Sequence, residues 1–168
     1  MRTAVYAGSF DPPTNGHLWV MEQGSKLFDK LVVAVGNNPE KNYLFSEHER
    51  IELVLRSLRN LRSPDVLKIH ISALENYFLV DFARLINAKW ILRGVRSEKD
   101  YQYEVDMLDQ NKRKAPEIET IFLTPPPELR RVSSSFVKGL VGQHGWENWI
   151  KDHLPPAIQD RFIERFKK

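Results

Sequence analysis

Residues 30–36, KLVVAVG, place five apolar side chains in a row, Leu31 to Val35, and close on a glycine. A strand with one face in water alternates apolar and polar residues, whereas a strand without alternation needs cover on both faces. Four more segments read as strands of the same kind: TAVYAG (3–8), VLKIHI (66–71), KWILRG (89–94) and ETIFLT (119–124). Helical patterns separate them. One is predicted over Asn15 to Leu27. A second opens at Ser46, with Glu49 in capping-box spacing and Ile51, Leu53, Val54, Leu55 and Leu58 behind it. A third covers 79–88, with Leu79, Phe82, Ala83 and Ile86 on one face, and a fourth runs from about Lys99 to Lys114. After the loop PPPELRR come a short helix in SSSFVKGLV and an amphipathic one between Pro155 and Lys168, with Ile158, Phe162, Ile163 and Phe166 on its apolar side. Strands that alternate with helices predict an α/β fold, a parallel sheet of five strands with helices on both faces. No repeat, linker or low-complexity stretch interrupts the chain, so a single domain over 1–168 is expected.

In such a sheet, ligands bind beyond the carboxyl ends of the strands. Four polar corners are therefore expected to converge there: Ser9 to His17, Asn37 to Lys41, Arg93 to Arg96, and Leu129 to Ser135. The first is the richest, GSFDPPTNGH, which breaks an apolar strand at Gly8 and becomes helical just where His17 appears.

Several chemistries lack their residues. There is no cysteine, which removes disulfides and thiolate nucleophiles and points to a reducing, cytoplasmic compartment. The histidines at 17, 48, 70, 144 and 153 show no close metal-ligand spacing. The sequence has no G-x-x-x-x-G-K-[ST] loop, no G-x-G-x-x-G fingerprint and no G-x-S-x-G elbow. No apolar run is long enough to span a bilayer, and the first residues lack a signal-peptide layout. A net charge of +3 suits anionic small ligands. Because no basic stripe is interleaved with aromatics, neither nucleic acid nor membrane is expected as a partner.

What remains is a set of anion-binding parts: His17, Lys41, Arg93, Arg96 and the helix starts near Asn15 and Ser133. Helix N-termini offer free N–H groups, arginine a fixed fork and lysine a mobile point charge. Gly8 and Gly16 are expected to let a ligand approach the backbone. Such parts suit phosphoryl or nucleotidyl transfer, where positioning and charge stabilisation do most of the work. A phosphate nucleophile is already mostly dianionic at neutral pH, with a second pKa of about 6, and needs no general base.

The corner GSFDPPTNGH resembles the signature of the (H/T)-x-G-H nucleotidyltransferases, with Thr14-Asn15-Gly16-His17 as the T-x-G-H form. Together with ILRGVR (91–96), YQYE (101–104) and VSSSFVK (132–138), it resembles the bacterial phosphopantetheine adenylyltransferases over nearly the whole chain. That resemblance implies a Rossmann-like, doubly wound sheet assembled as a homohexamer. The implied reaction joins ATP and 4′-phosphopantetheine into dephospho-coenzyme A, releasing pyrophosphate with Mg²⁺ held mainly by substrate phosphates. His17, Lys41 and Arg93 are implied as catalytic, with His17 stabilising the transition state at the α-phosphorus. Ser9, Lys41, Leu79 and Arg93 are implied at phosphopantetheine. Ser9, Phe10, His17, Gly94, Val95, Arg96, Glu104, Leu129, Arg130, Arg131, Val132, Ser133, Ser134 and Ser135 are implied at ATP. The chain departs from the family pattern at Asn42, where a second basic residue is common, and at Leu129-Arg130-Arg131, where an aromatic is frequent.

Plainer readings stand beside these. His17 caps or packs a helix start, Lys41 is a solvated loop lysine, Ser133 to Ser135 form a helix cap, and Glu104 pairs with a cation on its own helix. Asp11 is expected to tie the turn through its own backbone rather than bind metal, and Trp146 and Trp149 to serve packing or subunit contacts. Three rival functions share the fold class: transfer to another acceptor, such as nicotinate mononucleotide or glycerol phosphate; nucleotide binding without turnover; and nucleic-acid binding, which would show strong salt dependence.

Overall fold

In the computed structural model, which describes residues 1–61 and 63–167, five parallel strands form one sheet in the order β3-β2-β1-β4-β5. They are β1 (Thr3–Gly8), β2 (Lys30–Gly36), β3 (Ile69–Glu75), β4 (Trp90–Gly94) and β5 (Glu119–Leu123). The helices are α1 (Asn15–Leu27), α2 (Glu47–Arg59), α3 (Leu79–Leu85), α4 (Glu98–Lys114), α5 (Ser134–Leu140), α6 (Trp146–Trp149) and α7 (Pro156–Glu164).

The apolar runs divide residue by residue between two cores, as a pleat requires. Ala4 and Tyr6 of β1, with Leu31, Val33 and Val35 of β2, join the core that includes Val20 and Met21 of α1 and Val54 of α2. Val5, Ala7, Val32 and Ala34 point the other way, towards Val80, Phe82 and Ala83 of α3 and towards Ala115 and Ile118. Helix α1 lies close on the sheet because position 24 is glycine: a Cβ there would sit 2.7 Å from Leu92 and 2.9 Å from Leu31. A third core joins Phe45 and Leu53 to Val137, Ile150, Leu154, Ile158 and Phe162. Trp146 packs there, 6.2 Å from Phe162 and 5.9 Å from Phe166 between ring centroids, whereas Trp149 is 64% exposed.

Several predicted boundaries shift, two of them for a visible local reason. The strand expected from residue 66 begins at Ile69, because Ser63 caps a 3-10 turn over Pro64–Lys68 by accepting the Asp65 N–H. The helix expected to reach residue 88 stops at Leu85, where Asn87 turns left-handed (φ 55°) and the Ala88 N–H donates back to Ala83.

The strand order reverses between β1 and β4: the chain moves outward through β2 and β3, then returns to add β4 and β5 on the other side. The carboxyl ends of these central neighbours, Gly8 and Arg93-Gly94, therefore face a crevice that no crossover covers.

Candidate active site at the strand-order reversal

Above that crevice lies a cavity of about 720 Å³. Ser9, Gly16 and His17 line it from the corner after β1, and Lys41, Asn42 and Tyr43 from the loop after β2. Arg93, Gly94 and Arg96 come from the end of β4, Lys99, Asp100, Tyr103 and Glu104 from α4, and Val132 to Ser135 and Lys138 from the start of α5. All four predicted corners reach it, the last only from Val132 onward.

His17 is the third residue of α1 and takes the place usually held by Glu or Gln in a capping box. Its own N–H donates to Thr14 Oγ1 at 3.4 Å, and its Nδ1 accepts the Thr14 backbone N–H at 3.0 Å. A backbone N–H is only a donor, so Nδ1 must be the bare nitrogen and the ring proton sits on Nε2. Burial, and then the Arg96 charge, lower the pKa of the ring to about 4. His17 is therefore a neutral imidazole near pH 7 with one free donor. The capping and functional readings of this residue share one geometry.

Phe10 stands under His17, its ring edge-on to the imidazole at 5.1 Å and 1% exposed. Its backbone is left-handed (φ 50°), which folds the ring back over Gly8, where a Cβ would meet it at 2.9 Å. The absence of a side chain at Gly8 thus makes room for Phe10, and Gly8 also lines the cavity. Gly16 lines it too, between Asn15, whose N–H donates to His153 O at 2.9 Å, and His17.

The two arginines arrive already paired. Arg93 donates from Nε and Nη2 to the two Glu104 oxygens at 2.7 and 2.5 Å, and from Nη1 to Ala7 O at 3.0 Å. Burial disfavours its charge, but the Glu104 carboxylate more than offsets this, and its pKa is raised. Arg96 donates to Asp100 Oδ2 from Nε at 2.9 Å and to Val132 O from Nη1 at 3.1 Å. Glu104 therefore faces the cavity as the partner of Arg93, across from its own helix. Lys41 is exposed, and its ammonium has no partner among the described residues.

Asp11 departs from expectation. Its buried carboxylate accepts the N–H groups of Leu44 (2.9 Å) and Phe45 (2.9 Å) and pairs with Lys138 at 2.9 Å. It thus ties together three distant segments, not its own turn. Ser133 caps α5 by accepting the Phe136 N–H at 3.0 Å, and Ser134 donates to Pro12 O at 2.8 Å, which fixes α5 to the first corner.

Other predicted residues lie off the main cavity. Val95 and Arg130 line a shallower hollow beside it with Ser97, Tyr101 and Thr124. Leu79 packs against the core under α3, Leu129 ends a 3-10 turn, and Arg131 is exposed. Conversely, Tyr6, Lys99, Asp100, Tyr103 and Lys138 face the cavity without having been singled out. Of these, Lys138 had a usable signal, since it ends the VSSSFVK segment one helical turn beyond the serines.

A family model described as cytidylyltransferase-like matches residues 5–139. The phosphopantetheine adenylyltransferase of Chromobacterium violaceum is 45% identical over 168 residues, covering 100% of this chain and 99% of its own. That of Caldanaerobacter subterraneus subsp. tengcongensis is 40% identical over 171 residues, covering 100% and 99%. Among solved structures, a Plasmodium falciparum nicotinic acid mononucleotide adenylyltransferase complexed with NaAD matches with a TM-score of 0.77 over 97% of this chain and 95% of its own. At 18% identity that is a likeness of fold.

Proposed function

We infer the chemistry from one premise: the chain belongs to the phosphopantetheine adenylyltransferases. Its reaction transfers the adenylyl group of ATP to 4′-phosphopantetheine, giving dephospho-coenzyme A and pyrophosphate. The observation that best supports this reading is the His17 ring at the strand-order reversal, whose Nδ1 accepts the Thr14 N–H and so leaves the Nε2–H free.

An oxygen of the acceptor's phosphate bonds to the α-phosphorus of ATP while the bond from that phosphorus to the bridging oxygen breaks, and pyrophosphate leaves with the electron pair. No proton has to be removed from the acceptor, because a phosphate monoester has its second pKa at about 6. His17 donates from Nε2 to an α-phosphate oxygen whose charge grows as the phosphorus becomes five-coordinate. Arg93, fixed by Glu104, and Lys41 hold the acceptor's phosphate, and Ser9 lies between the two substrates. Arg96, Gly94 and the Val132 to Ser135 segment take the nucleotide.

Mg²⁺ enters on the nucleotide's phosphates in this reading. Among the described residues no three His, Asp or Glu side chains gather into a cage, and Asp11 is fully occupied by Leu44, Phe45 and Lys138. A homohexamer is part of the same proposal. Its support is the family to which the chain belongs. The lack of cysteine supports a cytoplasmic setting, and no helix among the described residues is long and apolar enough to cross a membrane.

The test is pyrophosphate release from ATP and Mg²⁺ with 4′-phosphopantetheine, with nicotinate mononucleotide, and with no acceptor. Release with phosphopantetheine alone is expected. Release with nicotinate mononucleotide instead would keep the chemistry and overturn the acceptor. ATP binding without release in any arm would overturn the reaction.

A further inference from the structure

Arg50, on α2, is the largest of the fully buried side chains among the described residues, 1% exposed, and the chemistry above makes no use of it. Its guanidinium donates from Nε to Phe45 O at 3.2 Å, from Nη1 to Ser9 O at 2.7 Å and Gly36 O at 2.9 Å, and from Nη2 to Asn37 Oδ1. The Tyr43 ring covers its face, 4.3 Å from guanidinium carbon to ring centroid. All four bonded acceptors are uncharged oxygens. A buried cation is tolerated only when such dipoles are aimed at it together, so the arrangement is committed to this one conformation.

The partners share a purpose in space. Gly36 ends β2 and Asn37 begins the loop after it, Tyr43 and Phe45 end that loop, and Ser9 belongs to the corner that presents His17. Asp11 grips the same loop from the corner side by accepting the Leu44 and Phe45 N–H groups, so the Phe45 residue is held at its N–H and at its carbonyl. Lys41 rides on the crest between these anchors, its backbone N–H turned back onto Asn38 O at 3.0 Å.

Resting on the reading of the reaction above, we propose that Arg50 is a positioning residue for the acceptor half of the site, tying loop 37–45 to Ser9 so that Lys41 meets the acceptor's phosphomonoester. A lysine could not replace it, because an ammonium has three donors and no plane to lie on the Tyr43 ring.

Arg50→Lys and the milder Asn37→Ala test this by two independent readouts. In hydrogen exchange, Arg50→Lys should speed the amides of residues 41–45 by about tenfold while those of β1 and β2 stay protected. In steady-state kinetics it should raise KM for 4′-phosphopantetheine about tenfold and leave KM for ATP within about twofold. Made in a Lys41→Ala background, it should change the acceptor KM by less than about twofold, since the two residues act as one unit. Asn37→Ala, at an exposed position, should move the same quantities in the same direction by less.

Equal rises in both KM values, or an undiminished effect without Lys41, would overturn the proposal and leave Arg50 a residue of general stability. Unchanged loop exchange would overturn it as well. Should Arg50→Lys fail to fold, Asn37→Ala decides by the same measurements, and no effect from it counts against. Failure of the reaction itself is separable: unsubstituted protein silent with phosphopantetheine removes Lys41's acceptor, while exchange still judges whether Arg50 holds the loop.

Discussion

Above β1 and β4, three side chains that face the cavity are held before any substrate arrives: His17 by Thr14, Arg93 by Glu104 and Ala7, Arg96 by Asp100 and Val132. Above β2, Lys41 extends, exposed, from a loop that is anchored to the rest of the fold at its two ends. Donors fixed in advance cost no reorganisation when charge develops on the reacting phosphorus, so they act on the barrier. In the proposed reaction a free lysine loses rotamer freedom only on meeting its anion, so the role proposed for Lys41 is capture of the substrate. On that proposal one cavity combines a rigid wall suited to the transition state with a pliant wall suited to binding.

The largest effect expected from this division is at His17. His17→Ala should lower kcat by about 10²–10³-fold, the scale of losing one preorganised donor, with ATP affinity within about threefold. Rapid-quench turnover beside calorimetric ATP binding checks it, and matching losses in both would erase the distinction between the walls.

Next comes the support of Arg93. Glu104→Gln keeps the volume but leaves a part-buried guanidinium without its anion, and unfolding free energy should fall by about 2 kcal/mol in urea titration. Acceptor kcat/KM should fall by about tenfold with it. A variant as stable and active as the parent would show that Arg93 holds its place without the pair.

At the pliant wall, Lys41→Ala should raise the acceptor KM by about tenfold, the scale of one charge-assisted bond, with kcat within about threefold. A fall in kcat exceeding the rise in KM would move Lys41 into the rigid class.

The smallest signal is spectroscopic. With its pKa near 4, the His17 ring should not titrate between pH 5.5 and 8 by NMR, and its Nε2 should carry the proton throughout. The folded value lies below the ordinary 6.5, so the unfolded chain takes up the proton first as pH falls. This group therefore adds nothing to the pH dependence of stability above pH 6.5 and weakens the fold as pH drops from there towards 4. A midpoint near 6.5 would mean that burial and the Arg96 charge do not hold the ring neutral.

Much of this molecule was legible along the chain because its signals are local. Unbroken apolar strands between amphipathic helices require cover on both faces, and the placement rule for such sheets then put the corner after β1 at the ligand edge. The capping box at Ser46 was readable because Glu49 lies three residues on, and the T-x-G-H run at Thr14 because it resembles a family signature. The shifted start of β3 also had a local cause, in Ser63 and Pro64.

Pairing across the fold was not legible. Glu104 reads by its spacing as the partner of a cation on its own helix, yet both its oxygens go to Arg93 at the end of β4. Asp11 reads as a turn residue, yet its partners are 33, 34 and 127 positions away. Arg50 sits in EHERIE, where any arginine would be taken for a solvated one. The sequence alone thus determined the sheet, its ligand edge and the chemical kind of side chain that gathers there, since all three follow from periodicity and short spacings. Only the tertiary structure decided which of those charges are held and which are free. Partners brought together by strand order rather than by chain distance leave no period in the sequence to read.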